Sequence, residues 1–277
     1  MRVTLPSNGL LGLREVTVDV PRIGTLRELS FSDWTEEQLR TELLRLLIKE
    51  DDVFPRMTIY DRDYLFAVVV SSICLNSVPI KYVCPACHAK GREVSCQCTY
   101  DITQQEPTFL EAGMSPTVEK SWDFMKEPVR YSVLSVADEE KIVAYALEDW
   151  DHYTLRYEQA FVAGVLGADL SSPATIQEAI DRVNSYPIYV YFSVLLFNQL
   201  TFHGVPQYTE GVCPECGQHT RVLVPFGSVV KELDSAKIVD RFAGLSGIID
   251  FKSFVDLSFP ELRQLEESLA SRMRGNQ

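Results

Sequence analysis

The sequence is short of positive charge. Its 26 Lys and Arg face 39 Asp and Glu, a formal net charge of −13. A folded chain this acidic repels phosphate backbones at long range, so nucleic acid is a poor default partner and a basic protein a better one. Solubility accounts for the charge equally well. The sequence also lacks an apolar run able to cross a bilayer. The longest, residues 186–202, contains Ser193, Asn198, Gln199 and Thr201, with Pro187 near its start, and reads as a buried helix. Met1 to Gly12 carries one Arg and an early Pro instead of a charged head and an apolar run. The expectation is a soluble, cytosolic protein with no membrane partner. A nucleophile elbow, a phosphate loop and a His-Glu-x-x-His motif are all missing. Together these absences point away from an enzyme.

Hydrophobic residues make up 46% of the 277, enough for a sizeable core in one large domain or two modest ones. Val16, Val18 and Val20 alternate with polar residues, as in a strand, after an extended arm that turns at Asn8-Gly9. Ser32 or Asp33 is placed to cap a helix running to about Lys49. Asp61 to Asn76 reads as a deeply buried helix, with Leu65, Phe66, Val68, Val69 and Val70 in sequence. Residues 101–127 read as a linking loop. Val129 to Val136 reads as a strand, and Asp138 opens helical territory. Ser172-Pro173 starts a helix, and Ser258-Phe259-Pro260-Glu261 is a capping box for the last one. The acidic clusters Asp138, Glu139, Glu140 and Glu148, Asp149, Asp151 fall at helix starts and ends. Capping or a solvated face accounts for them better than acid–base chemistry.

Seven cysteines remain, an odd number without a visible leader, which argues against a disulfide framework. Four of them form two knuckles: Cys84-Pro85-Ala86-Cys87 and Cys213-Pro214-Glu215-Cys216. Two thiolates three residues apart reach one ion if the chain turns tightly between them, and zinc takes four ligands in a tetrahedron. Two knuckles therefore make a closed, structural four-thiolate site with no open position. The site residues expected are Cys84, Cys87, Cys213 and Cys216, holding one structural Zn2+. A redox pair would need a helix N-terminus after a strand, which neither motif offers. His88 and His219 are expected as solvated turn residues, Cys96 and Cys98 as ordinary packing, and Cys74 as core.

The two motifs sit in an internal echo. Leu65-Phe66, Val78-Pro79 and the first knuckle match Tyr191-Phe192, Val205-Pro206 and the second, with the Pro-to-Cys spacing differing by two residues. The fold expected is α+β and mostly helical: two helix–hairpin units joined by a split four-cysteine zinc ribbon. The segments expected are an N-terminal arm and strand over 1–30, a main domain over 31–226 with hairpins at 78–97 and 205–224, and a C-terminal helical segment over 227–277. Tying Cys87 to Cys213 closes a long loop, worth roughly 4–5 kcal/mol on a chain-entropy model. Zinc itself contributes about 10–16 kcal/mol in small zinc peptides.

The chain resembles the baseplate hub assembly proteins of T-even-type contractile-tailed bacteriophages. The resemblance rests on the arm Leu5-Pro6-Ser7-Asn8-Gly9-Leu10, on Asp63-Tyr64-Leu65-Phe66 and on Val78 through Cys87. It also rests on the strand-then-helix passage Val129–Lys141 and on Cys216-Gly217-Gln218-His219-Thr220 with Val222-Leu223-Val224. It covers roughly residues 5–225. Residues 99–127 and the C-terminal helices match poorly. The resemblance implies a non-enzymatic structural or assembly protein of the tail baseplate, working in the host cytoplasm during assembly or resident in the tail. Its implied partners are phage tail proteins, the baseplate hub and the tape-measure protein. The alternative class is a zinc-ribbon module associated with nucleic acid or transcription. It would need a basic patch at the knuckles, where Lys81, Lys90, Arg92 and Arg221 are the nearby cations. A metal-dependent or thiol enzyme would need an open ligand position or a reactive Cys96 or Cys98.

Overall fold

The computed structural model describes residues 1–27, 34–50, 52–74, 77–123, 128–231, 242–246 and 248–275. The architecture is mixed α+β, with helices packed around four separate two-stranded antiparallel sheets among the described residues. No helix among those residues is long and apolar enough to cross a membrane.

The N-terminal arm is not a free extension. Strand β1 (Arg2–Thr4) pairs with β2 (Glu15–Thr17), Val3 opposite Val16. Leu5 is fully buried, and the Ser7 amide donates to Asp61 Oδ1 at 2.9 Å. A short helix, α1 (Ile23–Arg27), follows. Helix α2 (Glu36–Leu47) starts from Thr35, whose hydroxyl accepts from the Gln38 amide while the Gln38 side chain accepts from the Thr35 amide. Thr35 is thus the cap; Ser32 and Asp33 lie outside the described residues.

Helix α3 (Ile59–Ile73) begins two residues before the expected Asp61 because Thr58 caps it and Asp61 closes the capping box. Asn76 lies outside the described residues. Most of the buried stretch expected from sequence is there: Leu65, Phe66, Val69 and Val70 are at most 1% exposed, while Val68 is half-buried. Strand β3 (Ser77–Val83) runs out of α3, passes through the short helix α4 (Pro85–His88) and returns as β4 (Ser95–Asp101), Ile80 opposite Cys98. The return strand is longer than its sequence suggests, because Tyr100 buries its ring edge-on against Phe226 at 5.4 Å.

Residues 101–127 are more than a linking loop. β5 (Thr117–Lys120) pairs with β6 (Val129–Ser132), and Thr108 exchanges backbone hydrogen bonds with Gly204. The few apolar residues there conceal a strand whose partner supplies the buried side, Val129 and Tyr131. The strand expected up to Val136 ends at Ser132, since Ser135 caps helix α5 (Val136–Leu147) with Asp138 in the capping-box position. Helices α6 (Tyr153–Val165), α7 (Pro173–Asn184, capped by Ser172) and α8 (Ile188–Thr201) follow.

Helix α8 corrects the reading of residues 186–202 as a buried helix. Val190, Val194, Phe197 and Thr201 face inward, but Phe192, Leu195 and Leu200 are more than 60% exposed. The run is apolar all round, and apolarity alone does not say which side is covered. After α8 come β7 (Tyr208–Val212) and β8 (His219–Leu223), then α9 (Phe226–Lys231) and, among the described residues, a helical stretch at 242–245 and the helices Phe251–Asp256 and Phe259–Gly275. Ser258 donates to Glu261 from its amide and hydroxyl at the start of the last.

Among the described residues there are two large hydrophobic clusters and a small third one around the cysteine knuckles. One gathers β1–β2, α2, α3, the inner faces of both long hairpins and Phe226, Phe254 and Leu262 from the C-terminal part. The other large one is built from Tyr131, Ile142, Ala160, Ile180, Val194 and their neighbours. Polar pairs bridge them: Arg62 on α3 with Glu139 on α5, and Thr58 Oγ1 with His203 Nε2 at 2.7 Å.

Candidate metal centre

Each knuckle is the tip of a hairpin. In the first, Cys84 follows β3, its amide donating to Val94 O at 3.1 Å, and caps one helical turn opened by Pro85 that presents Cys87 on the same side; this motif therefore does stand at a helix N-terminus after a strand, contrary to the sequence expectation, but the helix is a single turn, Pro85–His88. Proline fits there because the first amide of a helix has no partner to lose. The turn closes with the His88 amide on Cys84 O at 2.9 Å and the Arg92 amide on Cys87 O at 3.0 Å. Gly91 then reverses the chain at φ 72°. The second knuckle is tighter. The Cys213 amide donates to Gln218 O at 3.0 Å, the Gly217 amide to Cys213 O at 2.9 Å, and Gly217 takes φ 70° four residues after Cys213. The first knuckle thus runs further from its second cysteine to its glycine, Cys87 to Gly91 against Cys216 to Gly217, whereas the two-residue difference in Pro-to-Cys spacing lies upstream, in the strands that lead into the knuckles.

The hairpins lie side by side, β4 against β7, with Thr209 Oγ1 donating to Thr99 O at 3.3 Å. That contact needs Gly211. A Cβ at Gly211 would stand 2.5 Å from the hydroxyl oxygen of Tyr82 on β3. Gly211 lies outside the residues that the cysteine pattern marks, although a glycine inside a strand is the usual sign of a close approach.

The four thiols expected from sequence meet. Their sulfur atoms all lie within 4.8 Å of one another. Cys84 Sγ is 3.7 Å from Cys216 Sγ, and Cys87 Sγ is 3.9 Å from Cys213 Sγ, each pair crossing from one hairpin to the other. A tetrahedron with metal–sulfur bonds of about 2.3 Å has sulfur–sulfur edges of about 3.8 Å. The donor set therefore fits a tetrahedral, thiophilic cation. Cys84, Cys87 and Cys213 are buried and Cys216 is exposed, so the site opens on one side only.

Local electrostatics differ among the sulfurs. Amides of Cys216 and Glu215 aimed at Cys213 hold its thiol down, at about 6, against the opposing effect of burial. Burial pushes Cys87 up to about 12, with hydrogen bonding from Cys216, Cys84 and Cys213 adding to it. Four thiolates cannot ionise side by side without a counter-charge, and a divalent cation supplies one.

The other candidates are placed as follows. Cys96 is buried in the same small cluster as Cys84, Cys87 and Cys213, its sulfur 3.7 Å from Val94 O, but is outside the four-thiol group. Burial raises its pKa. Cys98 is half-buried and Cys74 is buried in the main core. His88 and His219 are exposed and outside the group. Among the knuckle cations, Arg92 pairs with Glu215 of the other hairpin and Arg221 lies over the Tyr208 ring at 4.1 Å. Of the acidic clusters, Asp138 closes the capping box that Ser135 opens for α5, Asp149 pairs with His152, and Glu139 is buried against Arg62. Nothing in the residue pattern around Glu139 marks it as facing inward.

Comparisons with protein-family models, with curated proteins and with solved structures find no match.

Proposed function

We propose that Cys84, Cys87, Cys213 and Cys216 hold one structural zinc ion that makes a split zinc ribbon of the two hairpins. On this reading, the chain is a non-enzymatic structural or assembly protein of a contractile phage tail baseplate, acting in the region of the central hub. The observation that carries the metal is the agreement of two inter-hairpin sulfur separations, 3.7 and 3.9 Å, with the edge of a tetrahedral thiolate site. The phage assignment rests on the resemblance of the N-terminal arm, the helix-to-knuckle segment and the second knuckle. A closed site has no position for substrate, so its output is rigidity: it fixes α3 and α8, each leading into one hairpin, in a single body. The nucleic-acid alternative draws less support, since Arg92 is engaged by Glu215 and the chain is strongly acidic.

The test has two arms. Elemental analysis of the purified chain should give one zinc per molecule, lost in Cys87→Ser/Cys213→Ser. Co-expression with baseplate hub and tape-measure proteins should yield a complex, and mass spectrometry of purified particles decides between resident subunit and transient factor. Zinc without any tail partner would leave the brace and remove the phage reading. Absence of metal from chain grown in zinc-supplemented medium would remove the brace.

A further inference from the structure

The outer face of α8 is an apolar surface that the metal centre does not use. Ile188, Tyr189, Phe192, Leu195, Leu196 and Leu200 are each between 49% and 66% exposed. Six such side chains, about 200 Å2 apiece when free, leave roughly 700 Å2 of apolar surface, above the roughly 300–600 Å2 of an ordinary monomer's largest patch. A standard interface takes about 800 Å2 from each partner, so the face is nearly one complete side of one.

We propose that this face is covered by the same face of a second copy, giving a two-fold dimer through α8. Ile188, Phe192, Leu196 and Leu200 recur every four residues and form one ridge. A two-fold axis passing between Phe192 and Leu196 sets Ile188 of one copy opposite Leu200 of the other, apolar against apolar along the whole ridge. Nothing charged interrupts it: residues 187–202 contain no Asp, Glu, Lys or Arg. The net charge of −13 therefore resides elsewhere, where salt screens its repulsion over about 8–10 Å. The same neutrality argues against the other occupants. A basic partner would find no carboxylate on the face to recognise, and an anionic membrane would find no Lys or Arg within the helix. At one rim Trp122 lies against Tyr189, ring centroids 6.5 Å apart, with Lys120 Nζ 4.2 Å from the Trp122 ring. Gln199 is exposed on the same helix and is neutral. The inference is independent of the metal: α8 packs through Val190, Val194 and Phe197, away from the thiols.

The experiment is sedimentation and light scattering of the full zinc-loaded chain from about 1 to about 100 µM, a range in which a dimer of this area is expected to form. The expected result is a mass of twice 31.4 kDa, rising with concentration. Phe192→Glu/Leu196→Glu should weaken association by about 100-fold or more, since burying two carboxylates on each side opposes pairing. Val20→Glu, at an exposed apolar residue elsewhere, should leave it unchanged. If the double variant does not fold, amide exchange over 188–201 in the wild type decides. Protection that grows with concentration supports the dimer, and protection that does not overturns it. A wild-type monomer throughout the range, or a dimer indifferent to the two glutamates, also overturns it.

Discussion

Arg62 on α3 and Glu139 on α5 form an ion pair with both side chains at most 4% exposed, joining residues 77 positions apart. Around it, Asp63 accepts from Arg62 at 2.7 Å and from Arg40 at 2.8 Å, and Tyr157 donates to Glu139 at 2.7 Å. Burial alone would lower the Arg62 pKa, but Asp63 and Glu139 raise it on balance, so the guanidinium stays charged. Removing Glu139 leaves the buried Arg62 with Asp63 as its remaining counter-ion and deprives the Tyr157 hydroxyl of its acceptor. Glu139→Ala should therefore destabilise the protein by about 1–3 kcal/mol, read as a fall in the urea midpoint. Arg62→Met combined with Glu139→Leu should cost clearly less than the sum of the single changes, because neither charge is then stranded.

The metal should matter to both hairpins and to the main cluster beneath them. The knuckles hang from β3–β4 and β7–β8, whose inner residues Val78, Ile80, Val222 and Val224 all belong to the main hydrophobic cluster. Chelation, or Cys213→Ser, should lower the thermal midpoint and increase amide exchange in both hairpins together. Exchange that loosens only around the substituted knuckle would show that the hairpins are held by their own packing instead.

Gly211 offers a test of the hairpin contact that leaves every thiol in place. Its missing Cβ is where the Tyr82 ring sits, with ring atoms 2.6 Å from the ideal position. Gly211→Ala should force the hairpins apart, at about 1–3 kcal/mol in stability, and should weaken zinc binding in competition with a chelating dye. Gly217→Ala is the control. It meets nothing within 4 Å but holds φ 70°, so it should cost only about 1 kcal/mol of backbone strain.

The four-thiol cluster is legible in the sequence because a doubled Cys-Pro-x-Cys suits little besides four sulfurs brought together, and the sulfurs do converge. The burial of Leu65, Phe66, Val69 and Val70 agrees with the apolar run, although apolarity alone does not secure it. Capping residues are harder to place where neighbours compete. Asp138 is the third residue of a box opened by Ser135, and the two types are interchangeable on paper. The exposure of α8 is hidden for a different reason. A helix apolar on all sides looks the same whether its second face meets its own chain or another, and only tertiary placement separates those cases. Strand β5 is invisible because Thr117–Lys120 has a single aliphatic residue, Val118, itself 45% exposed, and depends on β6 for its place.

His203 should make stability depend on pH near neutrality. The ring is buried, its Nδ1 2.8 Å from Thr201 O and its Nε2 2.7 Å from Thr58 Oγ1. A carbonyl only accepts, so Nδ1 carries a proton. In the neutral imidazole that burial favours, Nε2 then accepts from the Thr58 hydroxyl. Burial lowers its pKa below the usual value, more than the Asp61 carboxylate at 3.5 Å and the Thr201 carbonyl raise it. The unfolded chain takes up a proton on this side chain below a pH of about 6.5, whereas the native state resists doing so. The contribution is therefore complete above that pH and declines as pH falls through it. Urea unfolding of zinc-loaded protein between about pH 7.5 and pH 5.5 should show stability falling with acid. His203→Asn should be less stable at the upper end and should show a shallower slope. Thiolate protonation acts on both proteins alike, so the difference between the two slopes isolates the imidazole. Equal slopes would mean that His203 is charged in the native state, with Asp61 as its counter-ion.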